Sequence, residues 1–190
     1  IDTGVDYFHP DLAPNVWTNP AEIPGNGVDD DGNGFIDDLH GYDFVSDDGD
    51  PMDDQDHGTH VAGIIGAAGG NAIGIAGVCW EVTLLAVKAF DEDGSASLDQ
   101  VIEAFGYAVR NGATIINASW GTDDRSRALQ DAVREAWQAG VTIIAAGGND
   151  QKPEVIFPAG YDEVIAVAAT DFKDQRAFFS NHGPQMDLAA

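Results

Sequence analysis

The chain has little positive charge. Lys and Arg number 8 against 33 Asp and Glu, a formal net charge of -25 over 190 residues. Nucleic-acid backbones are held through a basic footprint, so this balance excludes nucleic acid as a partner. A single cysteine, Cys79, excludes an internal disulfide. Set between Val78 and Trp80, it reads as a small buried hydrophobe rather than a nucleophile. No run is long and apolar enough to span a membrane, and no signal-peptide pattern is present. Pro- or Ser-rich linkers are also lacking, and the length suits one sizeable core. The chain opens at Ile1 without Met and stops in what reads as a loop, so the expectation is a fragment truncated at both ends. The acid surplus suits calcium ligation, saline surroundings or solubility, and charge alone does not choose among them.

What the chain does have is a histidine in a dense local pattern, Asp56-His57-Gly58-Thr59-His60-Val61-Ala62-Gly63, opening an apolar small-residue helix. Asp56 is the expected N-cap. A ring held at a helix start is rigidly oriented, as a general base requires. His57 and His60 lie three apart with no Glu between them, unlike the i, i+4 pair of a zinc protease helix, so zinc is set aside. Asp2, in Asp2-Thr3-Gly4, follows the end of a strand and can accept the second ring N–H of a histidine. Ala145-Ala146-Gly147-Gly148-Asn149 reads as a strand running into two glycines and an amide that can donate to an oxyanion.

These three motifs, in this order, resemble those of the subtilisin-like serine proteases, and the resemblance covers the whole chain. It implies that Asp2 and His57 are two members of an Asp-His-Ser triad and that Asn149 is the oxyanion donor. It also implies a polypeptide substrate, a secreted parent and scope for a propeptide. Gly94, Ser95 and Ala96 would pair with the substrate backbone as an added strand. Ser119, Trp120 and Gly121, with Ala146, Gly147 and Gly148, would wall the pocket for the residue before the cleaved bond. Asp11, in His9-Pro10-Asp11-Leu12, resembles the carboxylate of a structural calcium site. Its other implied ligands are Asn71 and the carbonyls of Gly69, Ile73 and Ile75. Phe157–Pro158 resembles a family loop whose proline is cis.

Residues 13–56 are rich in Asp, Gly and Pro and read as an acidic surface insertion. Within them, residues 29–38 follow the rhythm D-x-[DN]-x-[DN]-G of a calcium loop. Its ligands would be Asp29, Asp31, Asn33, the Phe35 carbonyl and Asp37 or Asp38. No helices flank it, and position twelve is His40 rather than Glu, so an isolated calcium loop is expected rather than an EF-hand.

From residue 82 the pattern alternates. Strands are expected at 82–90, 113–118, 141–146 and 164–168. A helix face is marked by Leu98, Val101, Ile102, Phe105 and Val109 after a Ser97–Gln100 capping box. A second is marked by Leu129, Ala132, Val133, Ala136 and Trp137. This predicts an α/β fold of three layers, with a mostly parallel sheet covered by helices on both faces and functional groups at the carboxyl ends of the strands. A doubly wound ligand-binding domain would show a Gly-rich phosphate fingerprint after its first strand, and none is there. The family's serine stands in Gly-Thr-Ser-Met-Ala, a context no serine in this chain has. The reading is therefore a serine endopeptidase whose present fragment is inactive alone. The alternative is a non-catalytic, calcium-dependent binding protein on the same fold.

Overall fold

The computed structural model describes residues 1–190 and divides into two compact units, Ile1–Ala104 and Phe105–Ala190. In the first unit, β1 (Gly41–Asp43) pairs in parallel with β2 (Ala86–Lys88), in the register Gly41 to Ala86 through Asp43 to Lys88. Gly41 is required there: its φ is +135° and a Cβ would lie 1.7 Å from the Ala86 carbonyl oxygen. Asp2 joins β2 through a parallel bridge to Lys88, its N–H donating to the Val87 carbonyl. A small core of Val5, Leu12, Ala62, Ala67 and Ala86 lies beneath, with Val16 and Leu84 packed against it. Tyr42, Phe44 and Phe35 form an edge-on aromatic cluster beside β1. Sequence reading missed β1, which lies in the stretch taken for a surface insertion. Tyr42 and Phe44 are nevertheless buried.

Helix α1 (His57–Gly66) is apolar nearly throughout, yet only Gly58, Ala62 and Gly66 are buried. Ile64 is exposed, and so are Val78 and Trp80 in the segment that follows. Cys79 is exposed as well, which corrects its reading as a buried hydrophobe. The N–H groups of Val78 and Cys79 donate to the carbonyls of Ile64 and Ile65, so this segment closes the C-terminal turn of α1.

The unit boundary falls within α2 (Leu98–Arg110). Its expected capping box forms: the Ser97 N–H donates to Gln100 Oε1 at 2.7 Å, and the Gln100 N–H to Ser97 Oγ at 3.3 Å. The buried stripe runs through Val101, Ala104, Phe105 and Ala108, while Leu98 is exposed. In the second unit, β3 (Ile115–Ala118), β4 (Thr142–Ala146), β5 (Val164–Ala168) and β6 (Leu188–Ala189) form a parallel sheet in that order. Between β3 and β4 runs α3 (Arg127–Gln138), N-capped by Ser126 Oγ accepting from the Leu129 N–H. Leu129, Val133 and Ala136 form its buried face, and Trp137 turns outward. A parallel sheet needs such crossovers, and they leave the loops after β3 and β4 at the carboxyl ends of the strands.

Candidate active site

Asp2 and His57 meet in the first unit. His57 Nδ1 lies 2.6 Å from Asp2 Oδ1. A carboxylate only accepts, so Nδ1 carries the proton, and in the neutral ring Nε2 keeps its lone pair. Asp2 is 9% exposed, whereas the His57 side chain is 46% exposed. The pair is therefore anchored at one end and open at the other. Asp2 Oδ1 also accepts from the Thr3 N–H, and Oδ2 is buried without a hydrogen-bond partner.

The start of α1 is capped from three directions. The His57 N–H donates to Gln55 Oε1, the Gly58 N–H to Thr3 Oγ1 at 2.9 Å, and the Thr59 N–H to Asp53 Oδ2 at 2.8 Å. Each satisfies a donor that the helix itself cannot. Asp56 makes no side-chain cap, because its φ of +79° places it in the left-handed region; the expected N-cap is thus replaced by Asp53. Thr3 Oγ1 also donates to Asp53 Oδ1, and Thr59 Oγ1 to Asp53 Oδ2. The Asp2 strand and the His57 helix therefore share one hydrogen-bonded brace. Gly58 permits the contact, since a Cβ there would lie 2.1 Å from the Gly4 carbonyl oxygen. Lys88, 2% exposed, closes the brace by donating to the carbonyls of Thr3 and Phe90 and to Asp54.

Burial pushes the Asp53 carboxyl up, but hydrogen bonds from Thr59, Gln55 and Thr3 outweigh it and hold it below the usual carboxylate range. A folded-state value below the unfolded one means that ionised Asp53 stabilises at any pH above the unfolded value, about 3.9. That contribution disappears as pH falls through the folded value. Asp53→Asn, which keeps one of the two accepting oxygens and loses the charge, is therefore expected to cost about 1 kcal/mol at pH 7. The gap from the unaltered chain should narrow steadily below about pH 4. Thermal unfolding of both proteins across that range checks this; an equal gap at every pH would contradict it.

Gly94, Ser95 and Ala96 sit in a turn of the first unit, where the Ser95 N–H donates to Asp91 Oδ1 and the Asp91 N–H to the Ser95 carbonyl. Gly94 and Ser95 are exposed. A methyl placed on Gly94 would lie 3.7 Å from Gln55 Nε2, the same side chain that caps the His57 N–H.

In the second unit, Ser119, Trp120 and Gly121 follow β3, while Ala146 ends β4 and leads into Gly147, Gly148 and exposed Asn149. Both walls close on Ile156. A Cβ on Gly121 would lie 2.4 Å from Ile156 Cδ1, and one on Gly148 would lie 3.1 Å from Ile156 Cγ2. Trp120 meets Phe105 edge-on at 6.3 Å. Sequence reading missed Asn181, which is fully buried and fixes the turn after Asn149. Its N–H donates to the Gly148 carbonyl, and its Oδ1 accepts from the N–H groups of Asp150 and Lys152. The bond between Phe157 and Pro158 is cis, as the resemblance implied.

Of the first calcium reading, the structure brings Asn71 and Ile75 to Asp11, through N–H donors rather than through their oxygens. Asp11, 2% exposed, accepts from Asn71 Nδ2 at 2.7 Å and from the Ile75 N–H at 3.0 Å. Those bonds hold its carboxyl below the usual range, Asn71 first. A Cβ on Gly74 would lie 2.4 Å from Asp11 Oδ2, so this loop folds tightly over the acid. Gly69 instead stacks under the Trp80 ring. Ile73 donates its N–H to Asn71 Oδ1.

The second set is rearranged. Asp29 turns inward, accepting from the N–H groups of Gly32, Asn33 and Gly34. Asp37 accepts from the N–H groups of Asn26 and Gly27. Asn33 Oδ1 accepts from the Phe35 N–H. Loop backbone thus uses the oxygens of Asp29 and Asp37, and of that set Asp31 and Asp38 lie together, with Glu22, which the sequence reading did not include.

A model of the subtilase family matches residues 1–190. The chain is 43% identical over 190 residues to the thermophilic serine proteinase of Bacillus sp. (strain AK1), spanning all of this chain and 42% of that protein. It is 37% identical over 190 residues to thermitase of Thermoactinomyces vulgaris, spanning all of this chain and 60% of thermitase. Among solved structures, it resembles a cold adapted subtilisin-like serine proteinase with a TM-score of 0.79 at 31% identity, covering 100% of this chain and 60% of that one. The fold is therefore the subtilisin-like α/β fold. The chain spans between 42% and 60% of the length of these proteins.

Proposed function

The chain belongs to the subtilase family, and on that premise we propose that the full-length protein is a secreted serine endopeptidase acting on polypeptides through an Asp-His-Ser triad. The observation carrying this reading is the Asp2–His57 contact of 2.6 Å, with the His57 side chain 46% exposed. The nucleophile would come from outside residues 1–190, so these residues alone are expected to be inactive. In the reaction, the serine hydroxyl attacks the scissile carbonyl while His57 Nε2 takes its proton. His57 returns that proton to the leaving amine, forming an acyl-enzyme that water then hydrolyses by the same relay. Asp2 holds the ring tautomer and supports the imidazolium. Asn149 Nδ2 donates to the developing oxyanion, and Gly94 to Ala96 hold the substrate backbone by strand addition. Ser119 to Gly121 and Ala146 to Gly148 bound the pocket for the side chain before the cleaved bond. A structural calcium would be held by Asp11, Asn71 and the carbonyls of Gly69, Ile73 and Ile75, fastening loops by binding only the folded state.

The test is covalent labelling of the full-length protein with a serine-directed phosphonylating reagent. One serine outside residues 1–190 should be modified, and the rate should collapse in His57→Ala. Absence of labelling in a folded protein would overturn the reading and favour a binding protein on this scaffold. Asn149→Ala is expected to lower kcat by about 10²- to 10³-fold with little change in KM, since its donor serves the transition state rather than the bound substrate. Steady-state kinetics on a peptide anilide would separate the two; a change confined to KM would remove Asn149 from the oxyanion role.

A further inference from the structure

Ile156 belongs to none of the motifs that pointed to the site, yet its side chain meets both proposed pocket walls, which lie with it in the second unit. Those walls carry three glycines, Gly121, Gly147 and Gly148. A glycine leaves open the space that another residue would fill with its side chain. Here the chain itself takes that space up. A Cβ on Gly121 would lie 2.4 Å from Ile156 Cδ1 and 2.7 Å from its Cγ1, and one on Gly148 would lie 3.1 Å from its Cγ2. The two branches of one side chain thus reach the two walls. Gly147 is backed separately, since a Cβ there would lie 2.0 Å from Met186 Cε.

Backbone bonds to both walls hold Ile156 in place. Its N–H donates to the Gly147 carbonyl at 3.2 Å, and its own carbonyl accepts from the Gly160 N–H at 2.9 Å. Phe157, the next residue, donates its N–H to the Thr122 carbonyl at 2.9 Å, and its carbonyl accepts from the Thr122 N–H at 2.8 Å. Val155 and Pro158 on either side are buried, whereas Ile156 is only half-buried. A β-branched side chain on so fixed a backbone has little freedom to swing aside. Charge at the rim is already matched. Asp123 and Asp150, which follow the two walls, both pair with Lys152, at 2.6 and 3.4 Å.

On the premise that the full-length protein is the endopeptidase put forward above, we propose that Ile156 floors the pocket for the residue before the cleaved bond. It restricts that residue to a small side chain, that of glycine, alanine or serine, by standing where a larger one would go. A methyl group fits between the walls above this floor, and a benzyl group would have to displace Ile156. A single methylene in an apolar pocket already changes kcat/KM by about 10- to 200-fold. Shortening Ile156 should therefore hand the space back to the substrate.

Three peptide anilides, identical except for alanine, leucine or phenylalanine before the anilide, test this on the full-length protein. The unaltered protein should cleave the alanine substrate with kcat/KM at least about tenfold above that for phenylalanine. Ile156→Ala should raise kcat/KM for phenylalanine at least about tenfold and change that for alanine by less than about threefold. A merely structural role would lower both together. Ile156→Val keeps the β-branch, removes one methylene and serves if Ile156→Ala fails to fold. It should raise the leucine-to-alanine ratio at least about threefold. A preference of the unaltered protein for phenylalanine, or ratios that neither variant moves, would overturn the floor and leave the peptidase reading standing. Serine labelling without cleavage of the alanine substrate would also overturn it. A folded protein that takes no label and cleaves none of the three would overturn the peptidase reading, and the floor with it.

Discussion

In the full-length protein, His57→Ala is expected to lower kcat on a peptide substrate on the order of 10⁶-fold, the loss already known for a triad histidine in subtilisin. The argument starts from the proton. A serine hydroxyl is a weak nucleophile at neutral pH and needs a base within hydrogen-bond reach as it attacks. His57 is built for that: its Nδ1 is committed to Asp2 and its side chain is 46% exposed. The brace of Thr3, Asp53 and Gln55 holds the ring at the helix start and remains in the variant. Folding should therefore be kept and the chemistry lost. Progress curves with a peptide anilide, alongside thermal unfolding, separate the two. A folded His57→Ala protein retaining more than a few per cent of activity would exclude His57 as the base.

Asp2→Asn is expected to cost about 10⁴-fold in kcat, the loss typical when a triad aspartate becomes an amide. The amide nearly conserves shape, so the backbone bridge to β2 should survive. What changes is the tautomer. An Asn amide nitrogen facing Nδ1 is a donor, so the proton moves to Nε2, where the base needs its lone pair. An imidazolium would also lose its facing negative charge. The effect should fall on kcat and ease as pH rises, where hydroxide bypasses the missing base. A loss of less than tenfold, or one confined to KM, would leave Asp2 a structural acid of the strand end.

How far the sequence carried depended on whether a signal was local. The Ser97–Gln100 box, the α3 face at Leu129, Val133 and Ala136, and Val164–Ala168 were legible because neighbours in sequence make them. The Asp2–His57 contact was legible through its motifs, which fix residue types at fixed places on strand and helix ends. β1 was not: three residues are too few for a periodicity, and the surrounding aspartates mask Tyr42 and Phe44. The cap at α1 was misread because Asp56, adjacent in sequence, has the wrong φ, while Asp53 reaches back across the turn. Asn181 acts on a loop about thirty residues before it, and only tertiary folding brings it there. Cys79 looked buried because its neighbours are apolar, yet its segment closes the end of α1 and leaves Val78, Cys79 and Trp80 exposed.

The most direct measurement is casein hydrolysis by the folded full-length protein and by its His57→Ala variant, each with and without the phosphonylating reagent. The account predicts cleavage by the unaltered protein, blocked by the reagent, and no measurable cleavage by the variant. A folded full-length protein that leaves casein and a broad peptide library uncut would contradict it.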